Sequence, residues 1–314
     1  MVKDELAFGV DFIKTYNWTS SGALKQIVSM AAKENVPITG HTPLSMSSIA
    51  AIDAGIQVLQ HIRIRPYEVL DDLEIVARYP VDESLMKRTA FWAHFQPDGN
   101  AVRQTLAGWE KRKDKFFVTP TLVVQEAVAQ SYDYPDPRFS ENPDVQLLSP
   151  GALERWKKSS PPLHWGKLSA EEIAEAKASF EGMVAFIRLA HTRGIRILSG
   201  TDTPVPWLVP GTSLLQELRC FVEKAGMTPA EAVHTSTGRA AEALRVSDRG
   251  TIEPGKTADL VVLGGDLAID ISAFGKIEQV LLNGRIYGKD QLLKEAAGWA
   301  AQDRPETDNS ADSR

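Results

Sequence analysis

Short apolar runs that each end on a metal-binding or acid–base side chain constrain this chain more than any other feature. Gly9-Val10-Asp11-Phe12-Ile13 leads into Lys14, and Val36-Pro37-Ile38-Thr39-Gly40 leads into His41. Ile56-Gln57-Val58-Leu59-Gln60 leads into His61, and Ile195-Arg196-Ile197-Leu198-Ser199-Gly200-Thr201 leads into Asp202. Each run has the length of a buried strand and is followed by turn and helix signals. Thr19-Ser20 caps helically spaced apolar residues over 23–32, and a helix near Ser47–Ala54 is closed by Gly55. A further strand is expected over 116–122, and a long helix from Ser169 to Thr192 stops at Gly194. This alternation predicts a parallel sheet with helices outside it. In a βα barrel the C-terminal strand ends point at one common site.

The domain layout follows from the same signals. Residues 1–248 read as (β/α) barrel, with long connections at 66–115 and 123–168 that are rich in Pro, Trp, Tyr and charge. Connections of that length at the ligand-bearing end shape a substrate pocket or lid, or else are helical decoration. Helices are expected over 213–225 and 229–244, the second opened by Thr228-Pro229. Residues 249–290 change texture. Strands over 258–263 and 277–282, and Asn283-Gly284 leading into Arg285-Ile286-Tyr287, predict a small antiparallel unit. Residues 291–314 read as a helical end and a polar, disordered tail.

Composition excludes several function classes. At 314 residues, with 43% apolar and 24% charged residues, the chain is of the soluble globular kind. A net charge of −6 provides no basic footprint, so no nucleic-acid partner is expected. No apolar run approaches the roughly 20 residues that span a bilayer, so no membrane partner is expected. The lone Cys220 rules out a disulfide framework and a multi-thiolate metal site. The first 15 residues lack a signal core, so the chain as written is expected to be cytoplasmic. A signal peptide upstream of Met1 would make the parent periplasmic or secreted.

Lys14, His41, His61 and Asp202 are the candidate metal ligands, and Asp202 is also the candidate proton shuttle. Imidazole and carboxylate suit Zn²⁺, Mn²⁺, Fe²⁺ or Ni²⁺; Zn²⁺ is the expected ion, in one or two copies. Two histidines and a carboxylate with an open position form a hydrolytic arrangement, because the metal brings the pKa of bound water to about 7. A strand-end carboxylate then takes the proton and passes it to the leaving group. Lys14 fits a metal site if CO₂ converts its amine to an N6-carbamate, a bridging carboxylate. Tyr16, Arg63 and Trp207 are weaker substrate candidates, and Arg65 joins Arg63 as a clamp for a carboxylate. His94, His164, His191 and His234 are read as structural or exposed.

These residues lie in motifs that strongly resemble the amidohydrolase superfamily, in particular its imidazolonepropionase- and prolidase-like members. The pieces are Asp11-Phe12-Ile13-Lys14, Gly40-His41-Thr42-Pro43, Gln60-His61, Thr119-Pro120-Thr121-Leu122 and Ser199-Gly200-Thr201-Asp202. Met227-Thr228-Pro229-Ala230-Glu231-Ala232 and the stretch from Gly250 to Val262 add a C-terminal signature. The resemblance covers about residues 5–290. It implies a TIM (β/α)8 barrel in which Lys14 is the carboxylated lysine of strand 4. His41 and His61 would be the ligands of strands 5 and 6, and Asp202 the aspartate of strand 8. It also implies hydrolysis of an amide, cyclic amide, or related ester or lactone bond in a small molecule.

One departure stands out. The family's first strand carries a His-x-His pair, whereas here no His-x-His exists and no histidine precedes His41. The expectation is therefore an α/β chain truncated at its N-terminus, an incomplete barrel of about strands 4–8 plus the C-terminal part of a small β-sandwich. Five parallel strands do not close the barrel that eight make. The alternative is a non-catalytic binding or assembly module that completes its sheet as a homo-oligomer.

Overall fold

Four short strands, β1 (Ile13–Thr15), β2 (Ile38–Gly40), β3 (Val58–Gln60) and β4 (Phe117–Thr119), pair in chain order as one parallel sheet. This computed structural model describes residues 2–79, 87–131, 145, 147–158, 169–206 and 208–300. Lys14 lies beside Thr39, Gly40 beside Leu59 and Gln60 beside Thr119. The run from Ile195 continues the arc beyond β4 through one parallel bridge, Val118 to Ile197. Two backbone bonds flank it, Val118 N to Arg196 O at 2.9 Å and Leu198 N to Val118 O at 2.8 Å. Ile13, Ile38, Leu59, Val118 and Ile197 are buried, which is why these segments assemble as a sheet.

The paired segments are shorter than the apolar runs. The chain leaves the ladder sharply after β3, β4 and the run from Ile195, where His61, Ile62, Thr121 and Asp202 all have positive φ, between 48° and 65°. The β1–β2 approach depends on Gly40: its φ is +131°, and a Cβ there would lie 2.2 Å from Thr15 O.

The helices follow their caps. α1 is Val2–Ala7. α2 (Ser21–Lys33) starts where Ser20 Oγ accepts from Ala23 N, and it buries Leu24 and Ala31. α3 (Ser48–Ala54) is capped by Ser47 and ends on Gly55 at φ 112°. α4 (Leu73–Arg78), α5 (Lys87–Ala90) and α6 (Asn100–Glu110) then lie in the long connection before β4. The described part of that segment packs into the core. Phe91, Trp92, Val102, Leu106 and Trp109 are buried in the main core, and the Trp109 ring meets Phe116 at 5.5 Å and Phe186 at 5.3 Å.

α7 (Leu122–Ser131) and α8 (Pro150–Lys158) follow β4. Most of the rest of the 123–168 connection lies outside the described residues. α9 (Ala170–Thr192) opens with a Ser169/Glu172 capping box, packs Phe180, Met183, Val184, Phe186 and Ile187 inward, and is followed by Gly194 at φ 72°.

The helix expected over 213–225 is α10 (Thr212–Arg219) continued by a π turn, Cys220–Lys224. The one expected over 229–244 is two helices, α11 (Pro229–Ser236) and α12 (Gly238–Leu244), broken at Thr237. Three hydroxyls account for the break. Thr235 Oγ1 donates to Ala232 O, and Ser236 Oγ and Thr237 Oγ1 both donate to Val233 O, so side chains occupy carbonyls a continuous helix would use.

A second sheet is antiparallel, with β5 (Leu260–Leu263), β6 (Ile277–Leu282) and β7 (Arg285–Gly288). Asn283 and Gly284 turn the β6–β7 hairpin at φ 50° and 73°. α13 (Lys289–Ala300) follows, and the tail expected to be disordered lies, from residue 301, outside the described residues. Among the described residues no helix is long and apolar enough to cross a membrane. The architecture is α/β, with a parallel sheet as the sequence predicts.

Candidate metal centre

His41 and His61 follow β2 and β3 directly, so two neighbouring strand ends deliver two imidazoles to one place. Their ring centroids are 4.7 Å apart with the planes at 87°. Both are buried. Asp202 joins them from the end of the fifth run, with its Oδ2 at 3.8 Å from His61 Nε2. Asp202 is the more open of that pair, with its side chain 40% exposed.

Each histidine is oriented from behind. His41 Nδ1 lies 2.7 Å from Asn17 Oδ1, and a carbonyl oxygen only accepts. His41 therefore carries its proton on Nδ1 and its lone pair on Nε2. His61 Nδ1 lies 2.8 Å from Thr121 Oγ1. Outer hydrogen bonds of this kind fix the ring orientation and tautomer of metal-binding histidines. Asn17, buried in the loop after β1, is itself held by Leu44 N donating to its backbone oxygen at 2.9 Å.

Burial and charge set the protonation states. Burial, then the nearby cations of Arg63 and Lys14, pushes His61 down to about 3. His61 is thus neutral near pH 7, and its contact with Asp202 is not an ion pair. Burial raises the Asp202 carboxyl above its ordinary value, while Lys14 and Arg63 pull it back. Lys14 stands exposed on β1, near enough for its charge to act on both groups.

The loop carrying Arg63 is braced by a buried carboxylate. Glu68 accepts from Ser48 N at 2.9 Å, Ser48 Oγ at 2.5 Å and Arg65 N at 2.7 Å. Trp109 Nε1 donates to the same Ser48 hydroxyl at 2.8 Å. Burial pushes the Glu68 carboxyl up, and these donors partly offset that. Arg65 is buried and donates to Arg63 O at 2.8 Å, tying the loop to itself.

Tyr16 lies exposed over His41, with ring centroids 4.2 Å apart. Trp207 and His164 lie outside the described residues. His94 is bonded to Tyr79 Oη at 2.8 Å, and His191 faces Glu231 at 3.6 Å, both away from the strand ends. Sequence reasoning missed Asn17, and it quoted Thr121 without a role. A Thr or Asn two or three residues from a strand end is too common to carry a signal alone.

The donor chemistry fits a divalent ion in part. Two imidazoles and a carboxylate sit on one rim, but among the described residues no group of three or more His, Cys, Asp or Glu is placed to hold a metal.

The amidohydrolase family pattern matches residues 171–287. Over 69 residues the chain is 41% identical to imidazolonepropionase of Pyrobaculum arsenaticum, covering 22% of this chain and 17% of that protein. Over 255 residues it is 25% identical to ochratoxinase of Aspergillus niger, covering 80% of this chain and 37% of that enzyme. Among solved structures, bottromycin amidohydrolase superposes with a TM-score of 0.70 at 22% identity, over 95% of this chain and 61% of the other. The chain thus spans less than two thirds of the length of each of these relatives. The family match over residues 171–287, the two relatives and the shared fold all support a place in the amidohydrolase superfamily.

Proposed function

We propose that this chain forms the larger part of the active site of a metal-dependent hydrolase. Its target is a C–N bond of an amide or cyclic amide, or a related ester or lactone, in a small molecule. The observation that carries this reading is the pair His41 and His61, each with Nδ1 held from behind, with Asp202 Oδ2 3.8 Å from His61 Nε2.

In this reading His41, His61 and Asp202 would each supply a donor to an ion that needs further ligands, and Lys14 would join them as an N6-carbamate. A bound divalent ion, Zn²⁺ by preference, supplies water acidified to about pKa 7. Asp202 receives a proton at Oδ2 and returns it to the leaving group. Its raised pKa suits a carboxylate that must both take and give a proton. Arg63 faces substrate carboxylate or carbonyl oxygen, and Tyr16 covers the His41 side. The small antiparallel sheet is then the C-terminal part of a β-sandwich.

One observation favours a second reading. Phe8, Phe12, Tyr16 and Trp18 are all exposed on and around β1, whose outer edge no strand covers among the described residues. A non-catalytic module that covers this edge as a homo-oligomer would show the same surface. Metal content after purification, with turnover on amide, cyclic amide and lactone substrates, separates the two. Bound metal and hydrolysis that Asp202→Asn abolishes at unchanged fold support the hydrolase. A metal-free, inactive oligomer refutes it.

A further inference from the structure

Outside the candidate ligands, the most deeply buried ionisable group among the described residues lies directly behind the loop that holds His61. Glu217, in α10, is fully buried, with Oε1 accepting from Leu122 N at 3.1 Å and Oε2 from Val123 N at 2.7 Å. These are the first amides of α7, whose N-terminal donors have no partners within the helix. The capped turn begins at Thr121, which sits at φ 51°, a conformation costly for a β-branched residue. Glu217 therefore holds in place a backbone that Thr121 would not choose.

Thr121 uses that position to settle a proton. Its hydroxyl has one hydrogen, which it donates to Pro120 O at 2.8 Å, since a carbonyl oxygen only accepts. The same oxygen lies 2.8 Å from His61 Nδ1 and has only acceptor capacity left. His61 must then donate from Nδ1 and keep its lone pair on Nε2, the atom facing Asp202.

We propose that Thr121 and Glu217 are positioning residues that fix the His61 proton on Nδ1 and aim the Nε2 lone pair into the candidate centre. Glu217 does so through the α7 cap and Thr121 through its hydroxyl. The functional half of this proposal rests on His61 being a metal ligand, whereas the tautomer does not.

The test is long-range proton–nitrogen correlation NMR on the metal-free chain carrying ¹⁵N-histidine, with a His61→Gln variant to identify the His61 signals among the six histidines. Wild type is expected to show protonated Nδ1 and bare Nε2, the tautomer that a neutral imidazole disfavours in water. Thr121→Val keeps the branched shape and is expected to lose this signature, while Thr121→Ser restores it. Glu217→Gln, which replaces one acceptor oxygen by a donor, is expected to show mixed tautomers at unchanged far-UV circular dichroism. Zn²⁺ affinity, from competition with a chromophoric chelator, is expected to fall about 10–100-fold in Thr121→Val. A wild-type His61 protonated on Nε2 overturns the proposal, as does a wild-type signature in Thr121→Val or Glu217→Gln. If Glu217→Gln does not fold, the Thr121 pair decides. If the tautomers behave as expected but wild type binds no Zn²⁺, the positioning stands and the metal reading of the site falls.

Discussion

Replacing Gly182 by alanine should destabilise the protein, although it improves the intrinsic helix propensity of α9. Gly182 lies in the interior of that 23-residue helix, where glycine costs about 1 kcal/mol relative to alanine. A Cβ at this position would lie 2.1 Å from Trp92 O, 3.0 Å from Trp92 C and 3.1 Å from Phe95 Cβ. The first contact is more than 1 Å too short, and its partner is backbone rather than the end of a flexible chain. The Trp92 segment cannot simply withdraw. Its ring packs on Phe186 of the same helix at 5.3 Å, and Ser179 Oγ donates to Ala90 O at 3.0 Å just upstream. Overpacking of this kind costs about 1–3 kcal/mol, and a backbone clash belongs at the upper end. The expected net loss is about 1–2 kcal/mol, or several degrees in Tm. The control is Gly298→Ala in α13, where a Cβ would meet nothing within 4 Å. That change should leave stability unchanged or raise it by up to about 1 kcal/mol. Urea denaturation of both variants followed by circular dichroism provides the comparison. Equal or greater stability in Gly182→Ala would refute the packing of α9 on the Phe91–His94 turn.

Three further outcomes are expected. Burial pushes the Glu217 carboxyl up to about 8 from an ordinary 4.5, so the folded state holds a proton that the unfolded state releases between those values. Stability should therefore fall as pH rises from about 4.5 to 8, by an amount on the order of 5 kcal/mol at most. Glu217→Gln should flatten that part of the urea-midpoint profile, and an unchanged slope would count against it. Glu68→Ala strands Ser48 N, Ser48 Oγ and Arg65 N in the interior and should cost about 3–5 kcal/mol in urea denaturation; a loss under about 1 kcal/mol would mean the loop re-solvates. Asn17→Ala should lower Zn²⁺ affinity about 10–100-fold with little loss of fold, measured by chelator competition, because it releases His41 from its hydrogen bond.

How much of this was legible in the sequence depended on the range of the interaction concerned. The strand ends at Lys14, His41 and His61 could be read directly, because a buried run followed by a capped helix is a local pattern. So could the caps at Ser20, Ser47, Ser169 and Thr228. The 66–115 segment was not legible as core. Its apolar residues are spread over short helices and 3₁₀ turns, and its role depends on Trp92 and Trp109 meeting Phe186 from a helix some eighty residues later. The break at Thr237 was missed because propensity favours helix on both sides of a local competition among three hydroxyls. Glu217 was invisible for a different reason: nothing in a helical Glu says that its carboxylate meets amides ninety-five residues earlier.

The strand ends also show why the site needs its second layer. His61, Ile62, Thr121 and Asp202 all hold a left-handed backbone, at a cost of about 1–2 kcal/mol each. A loop of ordinary residues would relax out of that conformation unless its surroundings forbade it. Two buried carboxylates provide that constraint. Glu68 gathers the amides of Ser48 and Arg65 around the loop after His61, and Glu217 gathers those of Leu122 and Val123 behind Thr121. Neither carboxylate belongs to the proposed reaction, and both raise the cost of folding by being buried. Apolar residues of similar volume would leave those amides without acceptors, so the carboxylates cannot be exchanged for simple packing. The sharp exits from β3 and β4 bring His61 Nδ1 to Thr121 and leave Nε2 toward Asp202. Backbone strain, buried carboxyl groups and imidazole tautomer are thus one coupled arrangement, and relaxing any of the three should disturb the other two.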